Sequence, residues 1–486
     1  MRICIIAEGC YPYIVGGVSE WLNGLIHSYP EHEFVILSIV ADRSMRGKYV
    51  YEIPENVTEI HELYLNDSDW GKRRARRRVR MNKREHQALL SLLLGEQIKW
   101  ELLFDFFQKS GISLNDMLMG PDFLNAVTEY YKLNYNQMVF ADFLWMLRSI
   151  YLPLFMALRM KIPKADIYHC TCTGYAGVLG SMAKYMYGGR LLISEHGVYT
   201  REREEELIKA KWVQGIYKDI WIEQFRKMSA LAYDRADAVT CLYEHARELQ
   251  TELGCDPNKI RIVPNGIEVE KFQNLPGKTE NEKKYVNIGA VVRVTPIKDI
   301  MTMIQAFGFA KEMEPSLKLW IMGTCEEEDE YAKDCYELVR IMGISDVVFT
   351  GRVDVTEYYG KMDMLILTSI SEGQPLTILE GFASCKPVIA TDVGNCRGLI
   401  LGENDDYGEA GIITRIMHVE EIAQAILTLA HDETLRSRMG ENGLRRVVSR
   451  YRFEYLQDAY RDLYKKLAGE EETNGTENGG MEKWQA

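Results

Sequence analysis

The segment Ser369-Ile370-Ser371-Glu372-Gly373-Gln374-Pro375-Leu376-Thr377-Ile378-Leu379-Glu380-Gly381 concentrates residue types that can hold an anion and a polyol. It follows a short apolar run, Met364–Thr368, that reads as a strand, and it opens an apolar stretch that reads as a helix. Pro375, after Gln374, suits the first helical position, where a missing N–H costs no intrahelical bond. The backbone N–H groups of Leu376 and Thr377 then stand at the positive end of the helix dipole, which makes a site for a diphosphate. Glu380 shares a helix face with Thr377, about 4.5 Å further along the axis. Its carboxylate can accept hydrogen bonds from both hydroxyls of a ribose joined to the phosphates. Glu372 precedes the helix, on the other side of the phosphates, where a sugar carried on the diphosphate would sit. The plainer reading of the same residues is a helix start with an acidic first turn.

Three other segments join this one. Gly289–Asp299 closes an apolar run and places Arg293 and Lys298 in the turn to the next helix, where two cations can neutralise a diphosphate leaving group. Singly, each reads as a solvated surface charge. Nearer the N-terminus, Gly16 and Gly17 lie between the first strand and a helix, so a backbone there can approach a ligand closely. His196, in Ser194-Glu195-His196-Gly197, ends another strand and can donate a hydrogen bond to a sugar; its alternative is a structural strand-end histidine.

These residues need a frame of parallel strands. Candidate strands are Arg2–Ala7, Phe34–Ile39, Asp166–Cys170, Leu191–Ser194, Ala238–Cys241 and Ile260–Val263, then Tyr285–Val292, Lys318–Met322, Val347–Thr350, Met364–Thr368 and Val388–Thr391. Strands separated by helices imply parallel sheets with right-handed crossovers. A chain of 486 residues is too long for one ordinary core. We therefore expect a first domain over 1–272, a polar linker near 271–284 and a second domain over 273–450. A helix over 451–468 is expected to pack back on the first domain, and the Glu-, Gly- and Asn-rich tail 469–486 to be disordered. Residues 67–160 break the alternation and read as a helical insertion in the first domain. The insertion opens with a basic run from Lys72 to Arg84, either a dock for anionic lipid or an acidic membrane partner, or a solvated helix surface.

Composition narrows the function. A net charge of −13 argues against non-specific nucleic-acid binding. The ten cysteines show no paired CxxC spacing and read as reduced thiols in the cytosol. The apolar start Ile3–Ala7 is interrupted by Glu8 and is too short for a signal core. The apolar region 145–160 contains Arg148, Pro153 and Arg159, so a membrane role would be peripheral. Asp67-x-Asp69 lies in an acidic loop and reads as incidental, so no metal is expected.

Glu372 and Glu380 form a Glu-x7-Glu motif, and with Asn265-Gly266-Ile267 and Gly351-Arg352-Val353 the sequence resembles retaining glycosyltransferases of family 4. That resemblance implies a GT-B fold: α/β, with two Rossmann-like domains facing across a cleft. It implies that Arg293 and Lys298 bind the diphosphate, that Glu380 binds the ribose and that Glu372 contacts the donor sugar. Gly323 and the Arg352–Val353 segment would border the base, while Gly17 and His196 would border the reacting centre. More narrowly, Glu8-Gly9-x-Tyr11-Pro12-Tyr13, Glu195-His196-Gly197-x-Tyr199-Thr200 and Pro296-Ile297-Lys298-Asp299-Ile300 are similar to the transferases of Pel-type exopolysaccharide. The expectation is then a cytoplasmic transferase moving a sugar from a UDP-sugar to a growing polysaccharide beside membrane-bound Pel synthase partners, with no cofactor. The alternatives are another family 4 transferase acting on a lipid-linked or small acceptor, a nucleotide-sugar epimerase, and a non-catalytic synthase scaffold.

Overall fold

The computed structural model describes residues 1–66, 80–324, 329–403 and 405–469. Its contacts divide the chain into two units, the first Met1–Ile262 with the segment from Asp462, the second Val263–Arg461.

The first unit is built on a parallel sheet of strands β1 (Arg2–Glu8), β2 (Glu33–Val40), β3 (Val57–Tyr64), β4 (Ile167–Cys170), β5 (Arg190–Ser194), β6 (Ala238–Cys241) and β7 (Ile260–Ile262). Their spatial order is β3-β2-β1-β4-β5-β6-β7. β1 lies centrally, in register from Arg2 opposite Glu33 to Glu8 opposite Ile39 on one side, and from Ile3 opposite Ile167 to Ile6 opposite Cys170 on the other. Ile3 to Ala7 are buried without alternation, as expected of a strand covered by helices on both faces. β3 was not among the expected strands. It sits at the sheet edge with Thr58, Glu59 and His61 along it, and an edge strand with one neighbour does not need an apolar run.

The expected insertion is helical over the described residues: Lys83–Leu94, Trp100–Lys109, Leu114–Leu118, Pro121–Asn134 and Phe140–Leu158. Asn82 and Glu85 form a reciprocal capping box at its start, and Gly95 ends the first helix with φ +79°. Leu89, Leu93, Phe104, Phe107, Phe123 and Phe155 share one apolar core with the sheet residues Cys4, Ile6 and Val35. Helix Phe140–Leu158 is long and apolar enough to cross a membrane by length and composition, yet Phe143, Leu147, Ile150, Leu154 and Phe155 are fully buried in that core. Asp67–Asp69 and the basic residues from Lys72 to Arg78 lie outside the described residues; Arg80, Lys83 and Arg84 are exposed.

The second unit is built on β8 (Val286–Val291), β9 (Leu317–Met322), β10 (Val347–Gly351), β11 (Met364–Leu367), β12 (Val388–Thr391) and β13 (Gly411–Thr414). All pairs are parallel, in the order β10-β9-β8-β11-β12-β13, around a separate apolar core. The edge strand β13, four residues long, was also not expected from sequence. The polar stretch read as a linker is part of this unit. Lys278 pairs with Asp363 and donates to Tyr285 O at 2.7 Å, and Ile267 and Val269 are buried in the second core, so the contact division falls at Ile262 rather than at 272. Those charges are partners inside the fold, which composition alone does not distinguish from a solvated linker.

Asn265-Gly266-Ile267 lies against the entry to the last helix, Phe453–Ala468: Ile267 N–H donates to Tyr451 O and Phe453 N–H to Ile267 O, both at 2.9 Å. A Cβ on Gly266 would stand 2.5 Å from Arg452 O, so only glycine fits there. From Asp462 that helix belongs to the first unit, where the Tyr464 hydroxyl meets His169 Nδ1 at 2.7 Å. The tail beyond residue 469 lies outside the described residues.

Candidate functional site

In each sheet the strand order reverses once, between β1 and β4 and between β8 and β11. Helices flanking such a point leave opposite ways, and the carboxyl ends of the two strands open a crevice where open α/β sheets bind ligands. Gly16 and Gly17 follow β1 at the first of these points, and Arg293, Lys298 and the Glu372–Glu380 segment follow β8 and β11 at the second, whereas His196 follows β5, Gly323 follows β9, and Arg352 and Val353 follow β10.

In the second unit, the loop after β8 carries Arg293 and Lys298, and the loop after β11 carries Glu372 to Pro375. The two loops are joined: Ile370 N–H donates to Ile297 O at 2.8 Å, and the Thr368 hydroxyl donates to Lys298 O and Asp299 O at 3.0 and 3.1 Å. Lys298 Nζ meets Glu372 Oε1 at 2.5 Å, and Ser369 donates to the same oxygen at 2.6 Å. The Lys298 and Glu372 side chains are 20% and 11% exposed, so this ion pair is poorly screened by solvent. Arg293 is exposed. Glycine is required at Gly323, after β9, because a Cβ would stand 1.8 Å from Val292 O. Gly323 N–H donates to Gly351 O at 3.0 Å, which brings the Arg352–Val353 segment beside it.

The helix after Pro375 is Leu376–Ala383, and no side chain caps it. Pro375 is its N-cap, with φ −71° and ψ 120°, rather than its first helical residue. The expected helix start was one position early because proline's fixed φ suits the extended N-cap as well as the first turn. Leu376 and Thr377 are consequently the first two helical residues, whose N–H groups have no intrahelical acceptor. Glu380 is half-buried, and its Oε2 accepts from the Tyr359 hydroxyl at 2.6 Å. Burial and that carboxylate push the Tyr359 hydroxyl pKa well above the ordinary tyrosine range, so tyrosine stays a donor. Tyr359 lies in a four-residue helical turn, Thr356–Tyr359, and no motif announced it.

In the first unit, Gly16 and Gly17 start the helix Gly17–His27 after β1, and His196 follows β5. Gly16 has an extended backbone, and a Cβ on it would meet nothing within 4 Å, so nothing in this unit demands glycine there. The His196 ring packs on Trp21 at 4.3 Å between centroids, and its Nε2 is buried with no hydrogen-bond partner among the described residues. Burial lowers its pKa to about 4, so the ring is neutral at pH 7.

Two carboxylates at the ends of β1 and β5 had been given no role. Glu8 accepts from Ala176 N–H at 2.9 Å and from the Tyr199 hydroxyl at 3.1 Å. Glu195 accepts from Tyr199 N–H, Thr173, Tyr233 and Gln250 at 3.2, 3.0, 2.6 and 2.9 Å. Burial raises both carboxyl pKa values. They fix the loops after β1, β4 and β5 around Tyr199. The available signal was an acid closing an apolar strand just before a glycine, as in Glu8-Gly9 and Glu195-His196-Gly197.

Comparison with known proteins gives the family and the fold. The family model described as a domain of unknown function (DUF3492) matches residues 1–258, and the model described as glycosyl transferases group 1 matches 282–432. The UDP-Gal:alpha-D-GlcNAc-diphosphoundecaprenol alpha-1,3-galactosyltransferase of Escherichia coli is 25% identical over 63% of this chain and 76% of its own length. The capsular polysaccharide biosynthesis glycosyltransferase CapM of Staphylococcus aureus is 28% identical over 44% of this chain and 57% of its own length. Among solved structures, Anabaena Alr3699/HepE in complex with UDP and glucose aligns over 96% of this chain and all of its own, with a TM-score of 0.60 and 14% identity. The fold is that of the GT-B glycosyltransferases. The chain belongs to the DUF3492 family, its second unit carries a group 1 glycosyl transferase domain, and glycosyltransferase group 1 activity is what these matches support.

Proposed function

We propose that this protein is a retaining, metal-independent glycosyltransferase that moves a hexose or N-acetylhexosamine from a UDP-sugar to a growing Pel-type exopolysaccharide. The observation that carries the donor side is the pairing of Lys298 with Glu372 beside an uncapped helix start at the β8–β11 reversal. A diphosphate arriving there takes Lys298, Arg293 and the Leu376 and Thr377 amides as its positive partners, and Glu372 is released to accept from a hydroxyl of the transferred sugar. Glu380, oriented by Tyr359, takes the ribose. Gly323, Arg352 and Val353 border the base, and Gln374 and Pro375 shape the turn. Positive charge held in place where the leaving UDP gathers negative charge lowers the barrier to an oxocarbenium-like transition state. A phosphate oxygen takes the proton of the attacking hydroxyl.

In the first unit, Gly16, Gly17 and His196 keep the roles given by the family resemblance, with a neutral imidazole serving the reacting sugar. Donor identity rests on that resemblance and on the E. coli relative, whose name includes UDP-Gal. The same name favours a second reading of the acceptor, a lipid-linked sugar in place of a growing polymer. Cytoplasmic location, Pel synthase partners and contact of the Lys72–Arg84 run with anionic membrane complete the proposal.

The test is turnover of a nucleotide-sugar panel by the purified protein, with and without excess EDTA. The expected outcome is hydrolysis or transfer from a UDP-sugar, unaffected by EDTA. Preference for a GDP or ADP donor overturns the base assignment, and loss in EDTA restored by Mg²⁺ overturns the metal-free reading.

A further inference from the structure

Among the described residues of the second unit, the buried side-chain polar atoms without a hydrogen-bond partner are Thr295 Oγ1, Asp299 Oδ2 and Gln374 Nε2. All three lie in the two loops that hold Lys298 and Glu372. The residues are 9%, 6% and 5% exposed. Buried polar groups in folded proteins are nearly always paired, so orphans confined to these loops mark a place that a polar ligand completes.

Chemistry fixes which way the Gln374 amide points. The Asn265 backbone N–H faces the end of this side chain at 2.7 Å, and a donor can only face the carbonyl oxygen, never the NH2. Asn265 Nδ2 donates in turn to Gln374 O at 3.3 Å, which holds the residue from a second direction. Nε2 and its two hydrogens are therefore directed away from Asn265, buried and unused. Thr295 stands between Arg293 and Lys298 along the loop, and its hydroxyl is likewise unused. Asp299 Oδ1 accepts from Thr302 N–H at the start of the next helix, at 3.4 Å. Its free oxygen is an acceptor and takes no part in the assignment.

We propose that the Thr295 hydroxyl and the Gln374 carboxamide nitrogen are hydrogen-bond donors to the bound nucleoside diphosphate sugar. Thr295 serves an oxygen of the distal phosphate. Gln374, placed between Glu372 and the helix start, serves an oxygen at the sugar end, either a sugar hydroxyl or the phosphate oxygen nearest it. Gln374 lies in the segment already read as donor-binding, whereas Thr295 carries no charge and was not singled out by the sequence. The inference rests on the reading of this unit as the donor site.

The experiment is calorimetric binding of UMP, UDP and UDP-hexoses (UDP-glucose, UDP-galactose and their N-acetyl forms) to the full chain. The variants are Thr295→Val, Gln374→Glu and Gln374→Met. Wild-type protein must bind UDP more tightly than UMP; equal binding sinks the donor-site reading itself rather than this inference. Given that preference, Thr295→Val is expected to lose about ten-fold in UDP affinity, with UMP affinity unchanged. Both Gln374 variants are expected to lose about ten-fold towards the preferred UDP-hexose. A loss shared with UDP assigns the carboxamide to the phosphate, and a loss absent from UDP assigns it to a sugar hydroxyl. Loss in Gln374→Glu alone is charge repulsion and counts against the proposal. Unchanged UDP and UDP-hexose affinities overturn it. UMP binding by each variant shows that its site remains folded.

Discussion

At the residue scale, one ion pair does two jobs. Lys298 and Glu372 satisfy one another at 2.5 Å, so neither is left as an uncompensated buried charge. In the proposed donor site, the diphosphate replaces that partnership. Lys298→Ala should lower kcat/KM by about 100-fold or more, the usual cost of removing one donor from a developing oxyanion. Steady-state kinetics checks this, and a loss under five-fold would remove Lys298 from the leaving-group site. Two histidines make a separate, pH-dependent prediction. Burial lowers the pKa of His169 to about 3 and of His196 to about 4, below the unfolded value near 6.5. The unfolded chain therefore binds protons that the folded chain refuses, and stability is lost as pH falls below about 6.5. By pH 5 each histidine should cost about 2 kcal/mol, and His196→Asn should remove its share. Urea unfolding at pH 7 and pH 5 measures both.

At the element scale, close approach and capping decide what a substitution costs. The loop after β9 runs so near the end of β8 that Gly323→Ala must push backbone apart. A loss of about 1–3 kcal/mol, the usual range for overpacking, should appear as an earlier melting transition together with weakened nucleotide binding. Asn82 accepts from the N–H groups of Arg84 and Glu85 at 2.9 and 3.0 Å. Asn82→Ala should cost about 1 kcal/mol and leave activity intact, because it loosens a helix end in the insertion that holds none of the candidate site residues. Loss of activity without loss of stability in that variant would give the insertion a catalytic part.

At the scale of the whole molecule, each unit has its own sheet and its own core, so unfolding need not be a single step. A UDP ligand belongs to the second unit in our reading. At 100 times its Kd it should add about 2.7 kcal/mol to that unit's stability. Hydrogen exchange should show protection after β8, β9, β10 and β11, at 293–299, 323–324, 351–353 and 369–377. Protection confined to the first unit would place the nucleotide wrongly. The last helix matters to both divisions of the chain, since its residues change unit at Asp462. Tyr464→Phe should cost about 1 kcal/mol by removing the hydroxyl that meets His169, read as a lower melting temperature.

The interior strands were legible in the sequence because burial on both faces favours apolar runs: Ile3–Ala7 is wholly apolar, and Ala238–Cys241 and Val388–Thr391 carry one buried threonine each. The Glu372 to Glu380 segment was legible too, since strand, turn and helix follow one another along the chain and their spacing is local. The edge strands β3 and β13 were not, because one neighbour suffices for an edge and polar residues are tolerated there. Nor were the partnerships of Lys298 with Glu372, Tyr359 with Glu380 and Asn265 with Gln374, each formed by residues 21 or more positions apart. Residue type and spacing determined which groups could grip a diphosphate. Only the tertiary structure decided which of them are already paired and which buried donors still lack an acceptor, because a hydrogen bond depends on where the sheet brings its loops.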